Sequence, residues 1–262
     1  MFSCKTLWIS DVHLGTSASR AADLLEFLSS VQTEKIYLVG DIIDLQRMRV
    51  RPQFPDVHRQ LVSLLIHLAS TSTDIVFIPG NHDYQFRDLA GSDICGIPVR
   101  LEAEHVTGDG RRLLIAHGDI LDSRIRRGTN LEKFGAAAYG VLQQLDVLVN
   151  QLRSRLGHDY VSIMSQVKHR LSSANEYIRR FEEVAASYAC ERGFDGIVCG
   201  HIHRPGIRDI GGTLYANDGD WVEHRTALAE DSSGALAILR WEAGRVRTGA
   251  VAGIIGAPPF AA

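Results

Sequence analysis

The stretch Lys35-Ile-Tyr-Leu-Val-Gly-Asp-Ile-Ile-Asp44 decides the fold. Its first five residues make an apolar, β-prone run that stops at Gly40-Asp41, where the chain turns and a carboxylate appears. On the N-terminal side, residues 21–31 carry Leu24, Leu25, Phe27 and Leu28 at helical spacing, and Leu7-Trp-Ile9 reads as a strand running into Ser10-Asp11-Val12-His13. On the C-terminal side, residues 57–69 place Leu61, Leu64, Leu65 and Leu68 on one helical face, and Asp74-Ile-Val-Phe-Ile78 is a third strand closed by Pro79-Gly80. This β-α-β-α-β order predicts parallel strands with helices packed over them.

Beyond residue 99 the rhythm changes. Residues 104–107, the pair Asp109-Gly110 and residues 111–116 read as a hairpin with a tight turn, running into His117-Gly118-Asp119. Residues 124–192 carry no strand signal and are rich in Leu, Ala, Arg and Glu, with breaks near Gly128 and Gly157. They read as a helical cap inserted into a core made of residues 1–123 and 193–254. The cap holds eleven Lys/Arg against seven Asp/Glu, a net +4, so with −3 for the whole chain the remainder carries −7. The last third is β-rich. Gly196-Ile-Val-Cys199 is a buried strand ending in Gly200-His201-Ile-His203, and residues 206–210, 213–216, 225–230 and 235–241 read as antiparallel meander strands. The tail, residues 255–262, reads as loose.

A chain of 262 residues has ample length for one large core with an insertion. A net charge of −3 gives no global argument for wrapping nucleic acid. The four cysteines, Cys4, Cys95, Cys190 and Cys199, form no CxxC pair and read as small reduced core residues. Thr6-Leu-Trp-Ile-Ser10 runs straight into a polar loop without the basic and long apolar segments of a secretory leader. No stretch reaches the ~18 apolar residues of a membrane span. The expectation is a cytoplasmic protein, with any contact to the inner membrane surface made through the cap.

Five polar clusters each follow a strand: Asp11-x-His13, Gly40-Asp41-x-x-Asp44, Gly80-Asn81-His82-Asp83, His117-Gly118-Asp119 and Gly200-His201-x-His203. Loops beyond strand C-termini in open α/β sheets converge on one crevice. Imidazole, carboxylate and amide donors together suit divalent ions such as Mn²⁺, Fe²⁺ or Zn²⁺, and the lack of thiolates disfavours a purely structural zinc site. The glycines before Asp41, Asn81 and His201 let the chain turn sharply and keep backbone out of the site.

These clusters resemble, in order, the signature of the calcineurin-like metallophosphoesterases: D-x-H, G-D-x-x-D, G-N-H-D, H and G-H-x-H. The resemblance implies an α/β fold, a two-sheet β-sandwich flanked by helices in four layers, here with a helical cap insertion. It implies two divalent metal ions, with Mn²⁺ the first expectation. Asp11, His13, Asp41 and His203 would hold one; Asp41 would bridge to the other, completed by Asn81, His117 and His201. It further implies hydrolysis of a phosphodiester or diphosphate by in-line attack of a metal-bridging hydroxide, with His82 near the scissile phosphate as general acid and Asp83 orienting its imidazole.

Within that family, Ser/Thr phosphatases usually read G-D-x-V-D-R-G and G-N-H-E, whereas here Asp44 is followed by Leu45-Gln46 and the third motif ends in Asp83. Repair nucleases usually carry an added DNA-binding domain. The insertion after Asp119, the run Gly200-His-Ile-His-Arg-Pro205 and the run Tyr215-Ala-Asn-Asp-Gly-Asp-Trp221 resemble the UDP-2,3-diacylglucosamine hydrolases of lipid A biosynthesis and a related branch. Those hydrolases usually read G-N-R-D, where this chain has His82. The implied substrate is a nucleotide-linked glycolipid or another phosphorylated small molecule, with Arg124, Arg126 and Arg127 as candidate diphosphate contacts. Two alternatives stand beside it: a broad-specificity nucleotide phosphodiesterase, and a non-catalytic scaffold. A scaffold would lack a ligand or the motif-three His, and every position is filled here.

Other residues carry two readings. Asp44 and Asp119 read either as partners that fix ligand histidines or as ordinary loop carboxylates. Asp218 and Asp220, in an Asn-Asp-Gly-Asp run, read as turn formers, and Trp221 as core. His58, His67, His105, His158, His169 and His224 have no partner pattern.

Overall fold

Three parallel strands carry the first half of the fold in the computed structural model, which describes residues 2–126 and 172–248. Strand β1 (Phe2–Ile9) lies beside β2 (Val31–Val39), and β2 beside β3 (Asp74–Ile78). Successive side chains on a strand point to opposite faces. Leu7, Ile9, Ile36, Leu38, Ile75 and Phe77 therefore share one face, in a cluster with Leu24 and Phe27 of α1 (Ala21–Ser30) and Leu61 and Leu65 of α3 (Asp56–Thr71). Trp8, Tyr37, Val39 and Ile78 share the other. Both faces are covered, which is why these strands read as unbroken apolar runs. Burying each such side chain contributes about 1.5–3 kcal/mol before entropy is counted. Between α1 and α3 runs the short helix α2 (Leu45–Val50), which hydrophobic periodicity did not reveal.

The face bearing Trp8 and Tyr37 meets a second sheet. That sheet has the order β6-β7-β8-β10-β9, built from β6 (Ala103–Val106), β7 (Arg112–Ile115), β8 (Gly196–Cys199), β9 (Gly206–Ile210) and β10 (Thr213–Asn217). Leu113, Ile115, Val198, Leu214 and Ala216 supply its side of the shared core. The fold is thus a mixed α/β arrangement of sheets flanked by helices. The expected hairpin is β6–β7, paired antiparallel.

The expected meander needs correction. β9 and β10 pair antiparallel, but β10 runs parallel to β8. The chain then leaves that sheet, and β11 (Thr226–Glu230), β12 (Leu236–Glu242) and β13 (Arg245–Thr248) extend the first one, in the order β13-β12-β11-β1-β2-β3. A two-residue ladder of β4 (Asp93–Ile94) and β5 (Ile97–Pro98) also went unread. The cysteines need correction as well. Cys4 and Cys199 are buried, whereas Cys95 and Cys190 are exposed; all four are free.

The chain divides into two compact units, residues 1–119 with 185–262, and residues 120–184. In the second, α4 (Asp122–Arg126) and the start of α5 (Ser172–Glu191) are described, and the Tyr177 hydroxyl donates to Asp122 Oδ1 at 2.8 Å. The centre of the expected cap, with Arg127, His158 and His169, and the tail 255–262 lie outside the described residues. Among the described residues no helix is long and apolar enough to cross a membrane.

Candidate metal centre

The loops after β1, β2, β3, β7 and β8 meet at one end of the two sheets, held together by backbone hydrogen bonds. Asp11 N–H donates to Gly40 C=O at 3.0 Å, His13 N–H to Asp41 C=O at 2.9 Å and Leu14 N–H to Ile42 C=O at 2.9 Å, so the first two loops continue the ladder of their strands. Leu45 N–H donates to His82 C=O at 3.1 Å, tying in the third loop, and Gly200 N–H to His117 C=O at 3.1 Å joins the fourth and fifth. His201 N–H donates to Asp11 Oδ2 at 2.9 Å and closes the ring.

The backbone here is strained. Asp11, His13, Asp41, His201 and His203 all have φ between 51° and 70°, a left-handed conformation that non-glycine residues rarely adopt. Each costs of order 1–3 kcal/mol, and such residues persist only where the surroundings dictate them. The flanking glycines act as the sequence suggests. A Cβ on Gly80 would sit 2.7 Å from His117 Nε2, and one on Gly200 2.5 Å from Asp11 Oδ2.

The side chains converge in overlapping sets. Asp11, His13 and His203 bring donor atoms within 4.8 Å of one another, as do Asp11, Asp41 and His117, and His13, Asp41 and His82. His203 Nε2 lies 3.1 Å from Asp11 Oδ1, and His117 Nε2 3.4 Å from Asp41 Oδ2. Asn81 Oδ1 lies 3.2 Å from His117 Nε2, and the His201 ring centroid 5.2 Å from that of His117. His117 Nδ1 is 2.7 Å from Val39 C=O and so carries a proton there, which fixes the ring and turns Nε2 towards the carboxylates. Burial works against charge on Asp11 and Asp41. The imidazoles around them, His203 foremost for Asp11 and His117 for Asp41, outweigh it and hold both carboxyls below the ordinary range.

Two buried atoms decide whether this pocket suits a cation. Asp11 Oδ1 and His13 Nε2 are shielded from water and make no hydrogen bond of good geometry, although His203 Nε2 comes within 3.1 Å of the carboxylate oxygen. Buried polar atoms are rarely left so, because each costs about 1–3 kcal/mol. Both are lone-pair donors aimed into the same space as Asp41, His203 and His117, and this donor set fits divalent ions.

One sequence expectation is corrected. Asp83 does not orient His82. Its buried carboxylate accepts N–H bonds from Gly80 at 2.6 Å, Ile42 at 2.8 Å, Ile43 at 3.2 Å and Asp41 at 3.3 Å, which makes it a clamp on two site loops. Burial pushes its carboxyl up to about 6. Asp44 takes the orienting place: its Oδ2 lies 3.0 Å from His82 Nδ1 and 3.1 Å from His13 Nδ1. Burial opposes the charge on His82, but Asp44 and Asp41 outweigh it and raise the imidazole above its usual value. Asp44 also caps α2 by accepting from Arg47 N–H at 2.8 Å. Asp119 instead pairs with Arg87 at 2.8 Å. Asp218 and Asp220, expected as turn formers, are fully buried. Asp220 accepts from Val222 N–H at 2.8 Å and meets His224 Nδ1 at 2.5 Å, so it does shape a turn. Asp218 Oδ1 lies 2.6 Å from the Ser10 hydroxyl, a partner 208 residues away that no local sequence pattern marks. Arg124 is exposed on α4, and Arg126 ends that helix.

Relatives bear on this geometry. A protein of Edwardsiella ictaluri named UDP-2,3-diacylglucosamine hydrolase is 27% identical over 242 residues, spanning 87% of this chain and 89% of its own. One of the same name from Xanthomonas campestris pv. campestris is 26% identical over 249 residues, spanning 87% and 96%. Among solved structures, Yfce, a phosphoesterase from E. coli, superposes with a TM-score of 0.47 at 14% identity over 94% of this chain and 98% of its own. The family model of the calcineurin-like phosphoesterases matches residues 4–205. With all five loops of that match drawn to one pocket of carboxylates and imidazoles, the chain belongs to the calcineurin-like phosphoesterases and is a metal-dependent phosphoesterase.

Proposed function

We propose that the chain hydrolyses a phosphodiester or diphosphate bond, and that its substrate is a nucleotide-linked glycolipid of the UDP-2,3-diacylglucosamine kind, in lipid A synthesis. The observation that carries the chemistry is the convergence of buried donor atoms, Asp11 Oδ1 and His13 Nε2 among them, which make no hydrogen bond of good geometry and meet the other candidate ligands in one pocket. Asp11, His13, Asp41 and His203 would hold one divalent ion, and Asp41, Asn81, His117 and His201 the second, with Mn²⁺ the first choice and Fe²⁺ or Zn²⁺ alternatives. Such a pair of ions, when bound, lowers the pKa of a water and offsets charge on the phosphoryl oxygens.

The protein's own groups do the rest. The backbone clamps hold the ligands in one geometry before substrate arrives. His82 is partly exposed at the mouth of the site, with Asp44 beside its Nδ1. The Asp44 charge keeps a proton on that nitrogen and turns Nε2 inward, where the ring donates to the leaving oxygen as it departs. The glycolipid reading rests on the names of the relatives. In it, residues 124–192 form a basic cap that admits acyl chains and meets the membrane surface, and Arg124, Arg126 and Arg127 meet the diphosphate. A second reading, a nucleotide phosphodiesterase with a soluble substrate, is favoured by His82, since a titrating imidazole replaces the permanent charge of an Arg.

The test is Mn²⁺-stimulated cleavage of bis-p-nitrophenyl phosphate, expected in the wild type and abolished in Asp41→Ala. Clean protein with no metal-dependent turnover overturns the proposal. Comparing UDP-2,3-diacylglucosamine with cyclic and linear nucleotides separates the two substrate readings.

A further inference from the structure

Ser10 Oγ lies 2.6 Å from Asp11 Oδ2 and 2.6 Å from Asp218 Oδ1, with Gly219 C=O farther off at 3.2 Å. A hydroxyl has one proton to give. It can satisfy one of these two carboxylate oxygens, and the other would then face an oxygen lone pair at hydrogen-bond distance with nothing between them. The contact is sound only if one carboxyl brings a proton of its own. Asp11 cannot be that one while it serves as a metal ligand, because its Oδ2 already accepts from His201 N–H and its carboxylate lies among the other candidate ligands.

Asp218 has the surroundings of a neutral acid. It is fully buried, and its second oxygen, Oδ2, has no hydrogen-bond partner. A bare oxygen of an ionised carboxylate in such a place is costly, whereas the carbonyl oxygen of a protonated acid tolerates it far better. The group is also fixed in place. Asp218 N–H donates to Cys199 C=O at 3.2 Å, and Thr226 Oγ1 donates to Asp218 C=O at 2.9 Å. Ser10 Oγ fills the space that a Cβ on residue 200 would take, so the chain has a glycine there.

We propose that Asp218 is a proton-bearing positioning residue: its carboxyl donates to Ser10 Oγ, Ser10 donates to Asp11 Oδ2, and Asp11 Oδ1 is thereby left as the oxygen that faces the metal. The inference rests on the reading of Asp11 as a metal ligand. It assigns Ser10 and Asp218, neither of which is among the candidate ligands, to the strength of metal binding. Partners of this kind typically alter metal affinity 10- to 100-fold when removed.

The test is titration calorimetry of Mn²⁺ into metal-stripped wild type, Asp218→Asn, Asp218→Ala and Ser10→Ala, with a thermal melt of each. An Asn amide is neutral and donates N–H to Ser10 as the neutral acid does. Asp218→Asn is therefore expected to bind Mn²⁺ within about threefold of wild type, while Asp218→Ala and Ser10→Ala bind roughly 10- to 100-fold more weakly. Should Asp218→Ala fail to fold, Ser10→Ala and Asp218→Asn still decide. The inference is overturned if Asp218→Asn binds as weakly as the alanine variants, which would mean the charge is needed, or if Ser10→Ala binds like wild type. A wild type that takes up no Mn²⁺ removes the metal-ligand reading itself, and this inference with it.

Discussion

Asp44 touches two imidazoles and a helix at once. Its Oδ2 faces the Nδ1 atoms of His13 and His82, and its Oδ1 caps α2. Removing it should show in two separable ways. Asp44→Ala loses an N-cap, worth about 1 kcal/mol, and frees both rings, for which a 10- to 100-fold loss of kcat is expected. Asp44→Asn keeps an acceptor for Arg47 N–H, so its melting temperature should stay within about a degree of wild type while kcat still falls. Equal kcat in Asp44→Asn and in wild type would show that the charge orients nothing. The same residue shows where sequence reading stops. The ligand candidates were legible because carboxylates and imidazoles are rare directly after buried strands, and a glycine marks three of those turns. Their supports were not. Asp83 adjoins His82 in the chain, yet its carboxylate points back to the amides of Gly80 and Ile42, and the group that meets the ring is Asp44. Ser10 and Asp218 are 208 residues apart, a distance no local pattern spans.

At the scale of elements, the site depends on how closely the strand ends approach. Gly200 follows β8, where any Cβ would press on Asp11 Oδ2 at 2.5 Å and overlap Ser10. Gly200→Ala should cost about 1–3 kcal/mol by overpacking and sharply reduce bound Mn²⁺, measured by melting and by metal analysis of the purified protein. Unchanged metal content would mean that the β8 loop can retreat. The strands themselves were legible where both faces are covered. The first half of β2 was missed because Gln32, Thr33 and Glu34 are polar, and pairing with Ser3 and Cys4 makes them strand all the same. The cysteines test this layering. Burial pushes the Cys4 thiol up to about 11, and the Cys199 thiol higher still. Cys95 and Cys190 are exposed. A thiol reagent should modify two cysteines quickly in native protein and the other two only on denaturation. Four fast sites would contradict the packing of β1 and β8.

For the molecule as a whole, the two sheets are joined by more than apolar contact. His105 on β6 reaches across to Glu230 on β11, Nε2 to Oε2 at 2.7 Å, and Glu230 Oε1 accepts from Gly108 N–H at 2.7 Å. Trp8 and Tyr37 enclose the histidine ring, with centroids 5.0 and 5.6 Å away. Burial works against charge on Glu230, but the bonds from His105 and Gly108 outweigh it and hold the carboxyl below its ordinary value. A carboxyl depressed in the folded state adds stability that is fully present above its unfolded value, about 4.3. That stability is lost as pH falls from there through the lower folded value. Glu230→Gln leaves an acceptor in place but removes the charge, so at pH 7 it should cost about 1–3 kcal/mol, or several degrees of melting temperature. The gap between wild type and Glu230→Gln should then narrow as pH is lowered below about 4.3, because the wild-type carboxyl becomes neutral too. Melts of both proteins from pH 7 downward measure it. A gap that stays constant into acid would mean that shape, and not the Glu230 charge, joins the sheets at this point.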